Sequence, residues 1–206
     1  SAFEGMSGAA VRAALAHVPS LGNPFVGGRV PDYLVLIEVS RTTPLREGEA
    51  DLDSLLQSTL GALMEQKPDL LADVLFGSPQ KMWALRHALS EGVRAMGQLV
   101  AFDLSFRRGD VMAFRQRMAA ELAKRFPGVV PCDFGHVADG GLHFNLVIPA
   151  PVASAADPAM ERDLREAVLA IATGEFGGSF SAEHAIGRKN QAAYDRLTPP
   201  AIRAVA

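Results

Sequence analysis

The sequence is poor in the features that mark several large classes of protein. It contains one cysteine, Cys132, so no disulfide can form within the chain, and we expect a reducing compartment, namely the cytoplasm. No apolar run approaches the ~20 residues that a membrane span needs. With 20 basic and 23 acidic residues the formal net charge is −3, so no basic field favours nucleic acid or an anionic membrane as a partner.

The two common nucleotide-binding loops are also missing. No Gly-x-Gly-x-x-Gly follows an apolar run, no Gly-x-x-x-x-Gly-Lys-Ser/Thr occurs, and no internal repeat is evident. What remains is a chain of 206 residues, 49% hydrophobic and 21% charged, which is enough apolar material for a sizeable core. We therefore expect one soluble domain over residues 1–206.

Hydrophobic periodicity divides the chain into helices and strands. The pattern predicts an α+β fold in which helices pack on one face of a largely antiparallel sheet. The apolar run 33–39 is expected in the middle of the sheet, helix 51–66 is expected to cover it, and the Ala- and Pro-rich stretch 149–158 is expected to be a loop. The predicted helices are 7–18, 51–66, 79–96, 110–125 and 160–173, and the predicted strands include 33–39, 71–76 and 99–105.

Residues 135–145, which read Gly-His-Val-Ala-Asp-Gly-Gly-Leu-His-Phe-Asn, carry two histidines around an Asp-Gly pair. Asp-Gly between alternating apolar residues is a strong hairpin signal, because Gly accepts the positive φ of a tight turn. A two-residue turn would place His136 opposite His143, with Cβ atoms ~5 Å apart on one face, where two imidazoles can chelate a metal ion. Alternation predicts that Asn145 shares this face, while the core receives Leu142, Phe144, Leu146 and Ile148.

A second stretch, Gly-Gly-Ser-Phe-Ser-Ala-Glu-His over residues 177–184, adds a carboxylate and a further histidine. Ser181 is a good N-cap, so Glu183 and His184 are expected in the first turn of a helix. Helical side chains diverge by about 100° per residue, which lets Glu183 reach the metal while His184 faces a substrate. Two His and one Glu are a common ligand set for a catalytic divalent metal. A helix N-terminus disfavours positive charge, so His184 is expected to be neutral and able to accept a proton.

These two motifs resemble the C-terminal domain of the FAD-linked oxidases and dehydrogenases that act on D-2-hydroxy acids. The matching patterns are Gly-His-x-x-Asp-Gly-x-Leu-His-x-Asn and Gly-Gly-Ser-x-Ser-Ala-Glu-His-x-Ile-Gly, and residues 1–4 and 33–38 are also similar to that domain. The resemblance implies a ferredoxin-like cap domain whose open sheet face carries His136, His143 and Asn145 towards a flavin. It also implies that the FAD-binding domain lies outside these 206 residues, in a longer enzyme.

The function implied by the resemblance is oxidation of a D-2-hydroxy acid to the 2-oxo acid, with FAD taking the hydride. Zn²⁺ or another divalent metal would bind the two motif histidines and Glu183, and His184 would accept the hydroxyl proton. Asn145 would contact the substrate, and Arg86 falls in a Trp-x-x-Arg pattern whose arginine grips the substrate carboxylate, a contact that a guanidinium fork suits. The implied partners are a small hydroxy acid, the protein's own FAD-binding domain and an unidentified electron acceptor, with a homodimer as a further option.

The sequence departs from the family pattern at several positions. Ala138, Gly141 and Ala185 replace its usual Gly, Asn and Gly, and Ala101 stands where relatives with dicarboxylic substrates carry a lysine. The missing lysine predicts a preference for monocarboxylic acids such as lactate or glycolate analogues. Two other classes of function remain open, a stand-alone metal hydrolase in which bound water is the nucleophile, and a non-catalytic ferredoxin-like ligand-binding module.

Overall fold

A computed structural model describes residues 1–150 and 159–205 of the chain, so most of the predicted loop 149–158 lies outside the described residues. The strands are β1 Ala2–Ser7, β2 Tyr33–Glu38, β3 Gly97–Ser105, β4 Val130–Pro131, β5 Phe134–Gly135 and β6 Gly141–Pro149. The helices are α1 Gly8–His17, α2 Leu52–Gln66, α3 Pro79–Ala95, α4 Val111–Arg125, α5 Met160–Leu169, α6 Gly187–Leu197 and α7 Pro200–Arg203, and a wider-turned segment, Ala170–Glu175, continues α5. None of the described helices combines the length and the apolar character that crossing a membrane requires.

Local chemistry accounts for where the first helices begin. The Ser7 hydroxyl accepts the N–H of Ala10 at 3.3 Å, and the Asp51 carboxylate accepts the N–H of Ser54 at 2.8 Å, so α1 and α2 each start with a side-chain cap. Pro79 occupies the start of α3, where its missing N–H needs no partner. The five predicted helices are therefore confirmed as α1 to α5, within a few residues at each end.

The strands form a sheet in the order β2-β1-β5-β6-β3, and each described pairing is antiparallel. β4 and β5 lie along the same edge of β6 in one register, because Val130 lies opposite Val147 and Phe134 opposite His143. The two short pieces thus act as one interrupted strand. The predicted α+β class with a largely antiparallel sheet is confirmed.

Helices cover both faces of this sheet, and not the single face expected from the sequence. On β6, Phe144 and Leu146 pack with α4 and α5, whereas Val147 packs with α1 and α3. Because successive strand residues point to opposite faces, these are two cores on two sides. The predicted core residues of β6 are confirmed, with at most 1% exposure each. The face of β6 that carries His143 and Asn145 becomes apolar at Val147, and there it packs against α1 and α3.

Three predictions about the region between residues 33 and 76 are wrong. β2 forms the edge of the sheet, where Val35 is 42% exposed, and not its middle. Helix α2 buries none of its residues, so it does not cover the sheet. Residues 71–76 form no strand, and Phe76 is 56% exposed. Apolar periodicity predicts an element but not its partner, and in the described residues these segments have few neighbours.

Candidate metal centre

The predicted hairpin is present, but its turn is longer than the Asp-Gly pair and covers residues 136–140. His143 therefore lies opposite Phe134 in the sheet and not opposite His136, so the predicted pairing is wrong. The longer turn depends on Gly140, where φ is +90° and a Cβ would lie 2.0 Å from the carbonyl oxygen that follows β3. The two imidazoles are nevertheless neighbours, with ring centroids 6.3 Å apart.

Glu183 and His184 reach the hairpin from a loop and not from a helix. The next helix, α6, begins only at Gly187, so the helix start predicted at Ser181 is wrong. The Ser181 hydroxyl donates to the Ala185 carbonyl at 2.6 Å, and Ala185 has a φ of +58°. A left-handed residue interrupts helical geometry, which is why a sequence typical of a helix start forms an irregular turn instead.

A carboxylate from β3 holds this loop. Oδ2 of Asp103 accepts the backbone N–H groups of Ala182, Glu183 and His184 at 3.1, 2.7 and 2.7 Å. Three successive N–H groups directed at one anion form a concave site of the kind that helix N-termini and backbone nests provide. The carboxylate thus satisfies the backbone donors that a first helical turn would otherwise leave free.

The three predicted metal ligands converge at the turn end of the hairpin. His136 Nε2 lies 3.4 Å from Glu183 Oε1, and His143 Nε2 lies 3.9 Å from Glu183 Oε2. The candidate ligand atoms of the three residues all lie within 4.8 Å of one another. The His143 side chain is 17% exposed, whereas those of His136 and Glu183 are 44% and 45% exposed. One side of the cluster is therefore accessible to solvent. Two imidazoles, one carboxylate and an open side suit a divalent cation that also binds a small molecule.

Each histidine of this cluster has a buried carboxylate beside its other ring nitrogen. Nδ1 of His136 contacts Glu4, and Nδ1 of His143 lies 3.4 Å from Asp103 Oδ1. The two acids are 2% and 7% exposed. A carboxylate in this position orients a metal-binding imidazole and favours the tautomer whose Nε2 carries a lone pair. The donor set and its backing therefore both fit a divalent cation.

The surroundings of His143 keep its ring neutral. Burial lowers the pKa of this histidine most, and the neighbouring His184 and Arg86 act in the same direction, while Glu183 and Asp103 oppose them. Neutral imidazole is the form that donates a lone pair to a metal.

His184 lies at the exposed side of the cluster. Its ring stacks on that of His143, with centroids 5.2 Å apart and planes 10° from parallel, and its side chain is 69% exposed. Its Nδ1 is 3.8 Å from Asp103 Oδ2. A second trio, Asp103, His143 and His184, also has ligand atoms within 4.8 Å. The trio that contains Glu183 is the better cation site, because the Glu183 side chain is 45% exposed, whereas that of Asp103 is 7% exposed and already accepts three N–H groups.

The two predicted substrate residues each contact a residue of the site, Arg86 the acid behind His136 and Asn145 the backbone of His143. Arg86, from α3, donates through Nε to Glu4 at 2.9 Å, its Nη2 is also 2.9 Å from that carboxylate, and its side chain is 12% exposed. Its guanidinium lies over the Phe134 ring, 4.9 Å from the centroid. Asn145 is 7% exposed and donates to the His143 carbonyl at 3.4 Å.

The site shares its sheet face with α1 and α3, which corrects the expectation of an uncovered face turned towards the flavin. Sequence reasoning also missed Glu4 and Asp103. The signal was present, since each is an acid inside an otherwise apolar strand, and buried acids are rare unless they are paired. The partner of each acid comes from a distant segment and is visible only in the fold.

Comparison with known proteins identifies the family of the chain. The family described as FAD linked oxidases, C-terminal domain, matches residues 1–205. A D-2-hydroxyglutarate dehydrogenase from Xanthomonas citri pv. viticola is 30% identical over 178 residues, which cover 84% of this chain and 36% of that protein. The mitochondrial D-2-hydroxyglutarate dehydrogenase of Bos taurus is 28% identical, over 82% of this chain and 29% of its own length.

A third relative is the D-2-hydroxyglutarate–pyruvate transhydrogenase of Saccharomyces cerevisiae, which is 24% identical over 95% of this chain and 39% of its own length. The chain spans between 29% and 39% of the length of these three curated relatives. Since the family match extends over residues 1–205, the chain belongs to the C-terminal domain family of the FAD-linked oxidases.

Proposed function

We propose that this chain is the substrate- and metal-binding domain of a flavin-dependent dehydrogenase that oxidises a D-2-hydroxy acid to the 2-oxo acid. The observation that carries the proposal is the convergence of His136, His143 and Glu183, with His184 stacked beside them. The family match and the names of the relatives support a flavin-linked reaction of a hydroxy acid.

In the proposed reaction the substrate's α-hydride and its hydroxyl proton go to different acceptors. FAD, which the flavin domain of such an enzyme would hold, would supply the acceptor for the α-hydride and its electron pair. His136, His143 and Glu183 would hold a divalent cation, which would supply Lewis acidity and so lower the pKa of a bound hydroxyl group. His184 takes the hydroxyl proton, because its ring stacks beside the cluster and its exposed side can pass the proton to water.

Substrate orientation falls to residues that flank the cluster. Arg86 binds the substrate carboxylate with the part of its guanidinium fork that Glu4 leaves available, and Asn145 contacts the substrate from the strand that bears His143. The carboxylate contact is the same before and during the reaction, so it contributes to binding more than to rate.

The test measures metal and flavin together in the full-length protein. We expect one Zn²⁺ or similar ion per flavin in the wild type, loss of that ion in His143→Ala, and reduction of the wild-type flavin by a D-2-hydroxy acid but not by its L-enantiomer. His17→Ala, which changes an exposed histidine of α1, is the matched control. Wild-type protein without a stoichiometric divalent ion would refute the metal centre. Hydrolysis by metal-loaded but flavin-free protein would favour the hydrolase.

Ala101 bears on which hydroxy acid is used. It lies directly opposite Asn145 in the β3–β6 pairing, is exposed, and carries no charge at the position where the resemblance expects a lysine. A second substrate carboxylate would lack that charge-assisted contact, whose loss amounts to about 1.5–3 kcal/mol. We therefore propose a preference for monocarboxylic hydroxy acids, although the relatives reported above are named for D-2-hydroxyglutarate.

A gain-of-function variant tests this preference. Ala101→Lys should raise kcat/KM for D-2-hydroxyglutarate roughly tenfold or more while the value for D-lactate changes little, because only the dicarboxylic acid gains a contact. Ala101→Gln is the uncharged control of similar length. A wild-type series that ranks D-2-hydroxyglutarate first would overturn the proposal.

The remaining partners and the location are also proposals. The protein's own FAD-binding domain and an electron acceptor follow from the flavin chemistry, and a homodimer is a further option. The cytoplasmic location rests on the single cysteine, which is free and buried. The bovine relative is named as mitochondrial.

A further inference from the structure

Asp103 is the most heavily engaged acid of the site, and the chemistry proposed above gives it no role. It lies in β3 directly opposite His143, on the strand next to the hairpin, and is 7% exposed. Its two oxygens have different surroundings. Oδ2 accepts three backbone N–H groups, whereas Oδ1 is buried without a hydrogen-bond partner among the described residues.

The Oδ2 contacts set the position of Glu183 and His184. Both side chains project from a loop that precedes α6, so no helix fixes their directions. Their N–H groups instead converge on one oxygen, at 2.7 Å each, and the Ala182 N–H is shared at 3.1 Å between that oxygen and the Asp103 carbonyl. A metal ligand and a proton acceptor are thus attached to a single side chain of the rigid sheet.

Oδ1 of Asp103 faces Nδ1 of His143, while the other ring nitrogen, Nε2, faces Glu183. It lies 3.4 Å from Nδ1 of His143, slightly beyond a normal hydrogen bond. A proton on Nδ1 would satisfy this orphan acceptor, and it would leave the Nε2 lone pair directed at Glu183 and the cluster.

We infer that Asp103 is a positioning residue that uses one oxygen to hold the Glu183–His184 loop and the other to select the metal-binding tautomer of His143. The inference rests on the proposed function, since it concerns the same centre. Asp103 contacts neither the reacting atoms nor the substrate, so its effect acts through other residues.

Two substitutions separate the two tasks. In Asp103→Asn the amide oxygen can still accept the three N–H groups, but the amide nitrogen then faces His143 Nδ1 as a donor and favours the tautomer with Nε2 protonated. In Asp103→Ala both contacts are lost. Asp133→Asn is the matched control, because Asp133, between β4 and β5, is also a buried acid, 1% exposed, but its carboxylate accepts from Arg115.

The experiment uses the full-length protein, with Zn²⁺ as the probe, and expresses metal affinity per bound flavin so that only folded molecules count. We expect Asp103→Asn to bind Zn²⁺ 10- to 100-fold more weakly. Nitrogen NMR of labelled histidine should show His143 change tautomer in this variant. Asp133→Asn should keep both readouts at wild-type values.

Limited trypsin digestion reports the loop task independently, because Arg188 and Lys189 follow the loop directly. Cleavage there should accelerate several-fold in Asp103→Ala and much less in Asp103→Asn. Wild-type Zn²⁺ affinity and tautomer in Asp103→Asn, or unchanged digestion in Asp103→Ala, would overturn the inference. If the wild type binds no Zn²⁺, the metal centre of the proposed function fails, and the His143 tautomer and the digestion still decide the role of Asp103.

Discussion

The candidate centre has two sides that are built differently. On one side Glu4 of β1 contacts both His136 and Arg86, so the contacts on this side run between side chains. On the other side Asp103 of β3 accepts three backbone N–H groups and faces His143. The contacts on the Glu4 side join three side chains, which can rotate. The contacts on the Asp103 side join the backbone of residues 182–184 to one carboxylate on β3.

This difference indicates what each side is suited to do. Under the proposed function a substrate carboxylate shares Arg86 with Glu4, and an ion pair between side chains can rearrange when a second carboxylate arrives. The proposed proton acceptor, His184, has to stay at a fixed distance from the cluster, and backbone contacts to a sheet residue provide that rigidity. We therefore expect changes on the Asp103 side to affect rate, and changes on the Glu4 side to affect binding and stability.

The largest expected effect comes from the Asp103 side. His184→Ala should lower kcat and kcat/KM together by about 10²- to 10⁴-fold with little change in KM, because a proton acceptor acts mainly in the transition state. Single-turnover flavin reduction at saturating substrate measures this directly. Wild-type reduction with weakened binding would make His184 a binding residue and remove the contrast between the two sides.

The corresponding change on the other side is Glu4→Gln. It leaves Arg86, only 12% exposed, without its anionic partner, and we expect the free energy of unfolding to fall by about 3 kcal/mol. KM should rise more than kcat falls. Glu175→Gln is the control, because it breaks an ion pair with Arg117 in which both side chains are at least one-third exposed, and it should cost less than about 1 kcal/mol. A kcat loss as large as that of His184→Ala would contradict the division of roles.

A smaller effect concerns the loop that carries His184. Ala185 has a φ of +58°, a conformation that glycine adopts without strain, so Ala185→Gly should raise the free energy of unfolding by about 0.5–1 kcal/mol. Ala138→Gly is the control with the opposite sign, because Ala138 has no positive φ and glycine there only adds freedom to the unfolded chain. Denaturant titration of the three proteins measures both. Equal shifts for both variants would show that Ala185 is unstrained.

The smallest effect concerns Tyr33 of β2, the strand that pairs with the Glu4-bearing strand β1. The Tyr33 hydroxyl is buried without a hydrogen-bond partner among the described residues, so Tyr33→Phe should be neutral or stabilising by up to about 1 kcal/mol. Burial, aided by the Asp133 carboxylate, raises the pKa of Tyr33 from 10.0 to about 12.

As pH rises, the Tyr33 hydroxyl loses its proton in the unfolded chain before it does so in the folded one. The free energy of unfolding that depends on this proton is therefore constant below pH 10 and falls as pH rises towards 12. Tyr33→Phe should show less alkaline destabilisation than the wild type. The buried Cys132 thiol, whose pKa is also raised to about 12, is common to both proteins and cancels in the comparison. Parallel alkaline curves would mean that Tyr33 ionises equally in both states.

The predictable parts of the fold were those that local sequence decides. Ser7, Asp51 and Pro79 mark helix starts through their own hydrogen bonds or ring geometry, and the apolar alternation of β6 identified which side chains are buried. The positions of β2 and α2 were not predictable in this way, because burial depends on which other segments pack against an element.

The candidate site also has parts that local sequence predicts and parts that it does not. Histidines and a glutamate in two short motifs indicated the cluster, although the predicted hairpin register and helix start were both wrong. The cluster forms regardless, because the longer turn and the Asp103-bound loop still bring the rings and the carboxylate together. Glu4 and Asp103 were missed because no short-range pattern relates them to residues 132 or about 80 positions away.

Those separations govern when the centre can form. The contact between Glu4 and His136 spans 132 positions, and that between Asp103 and the Glu183 N–H spans 80, so neither exists until distant segments have already met. Contacts of such long range carry a large loop-closure entropy and belong to the late part of folding. A cation that needs the finished cluster would thus slow the opening of the domain and leave its folding rate almost unchanged.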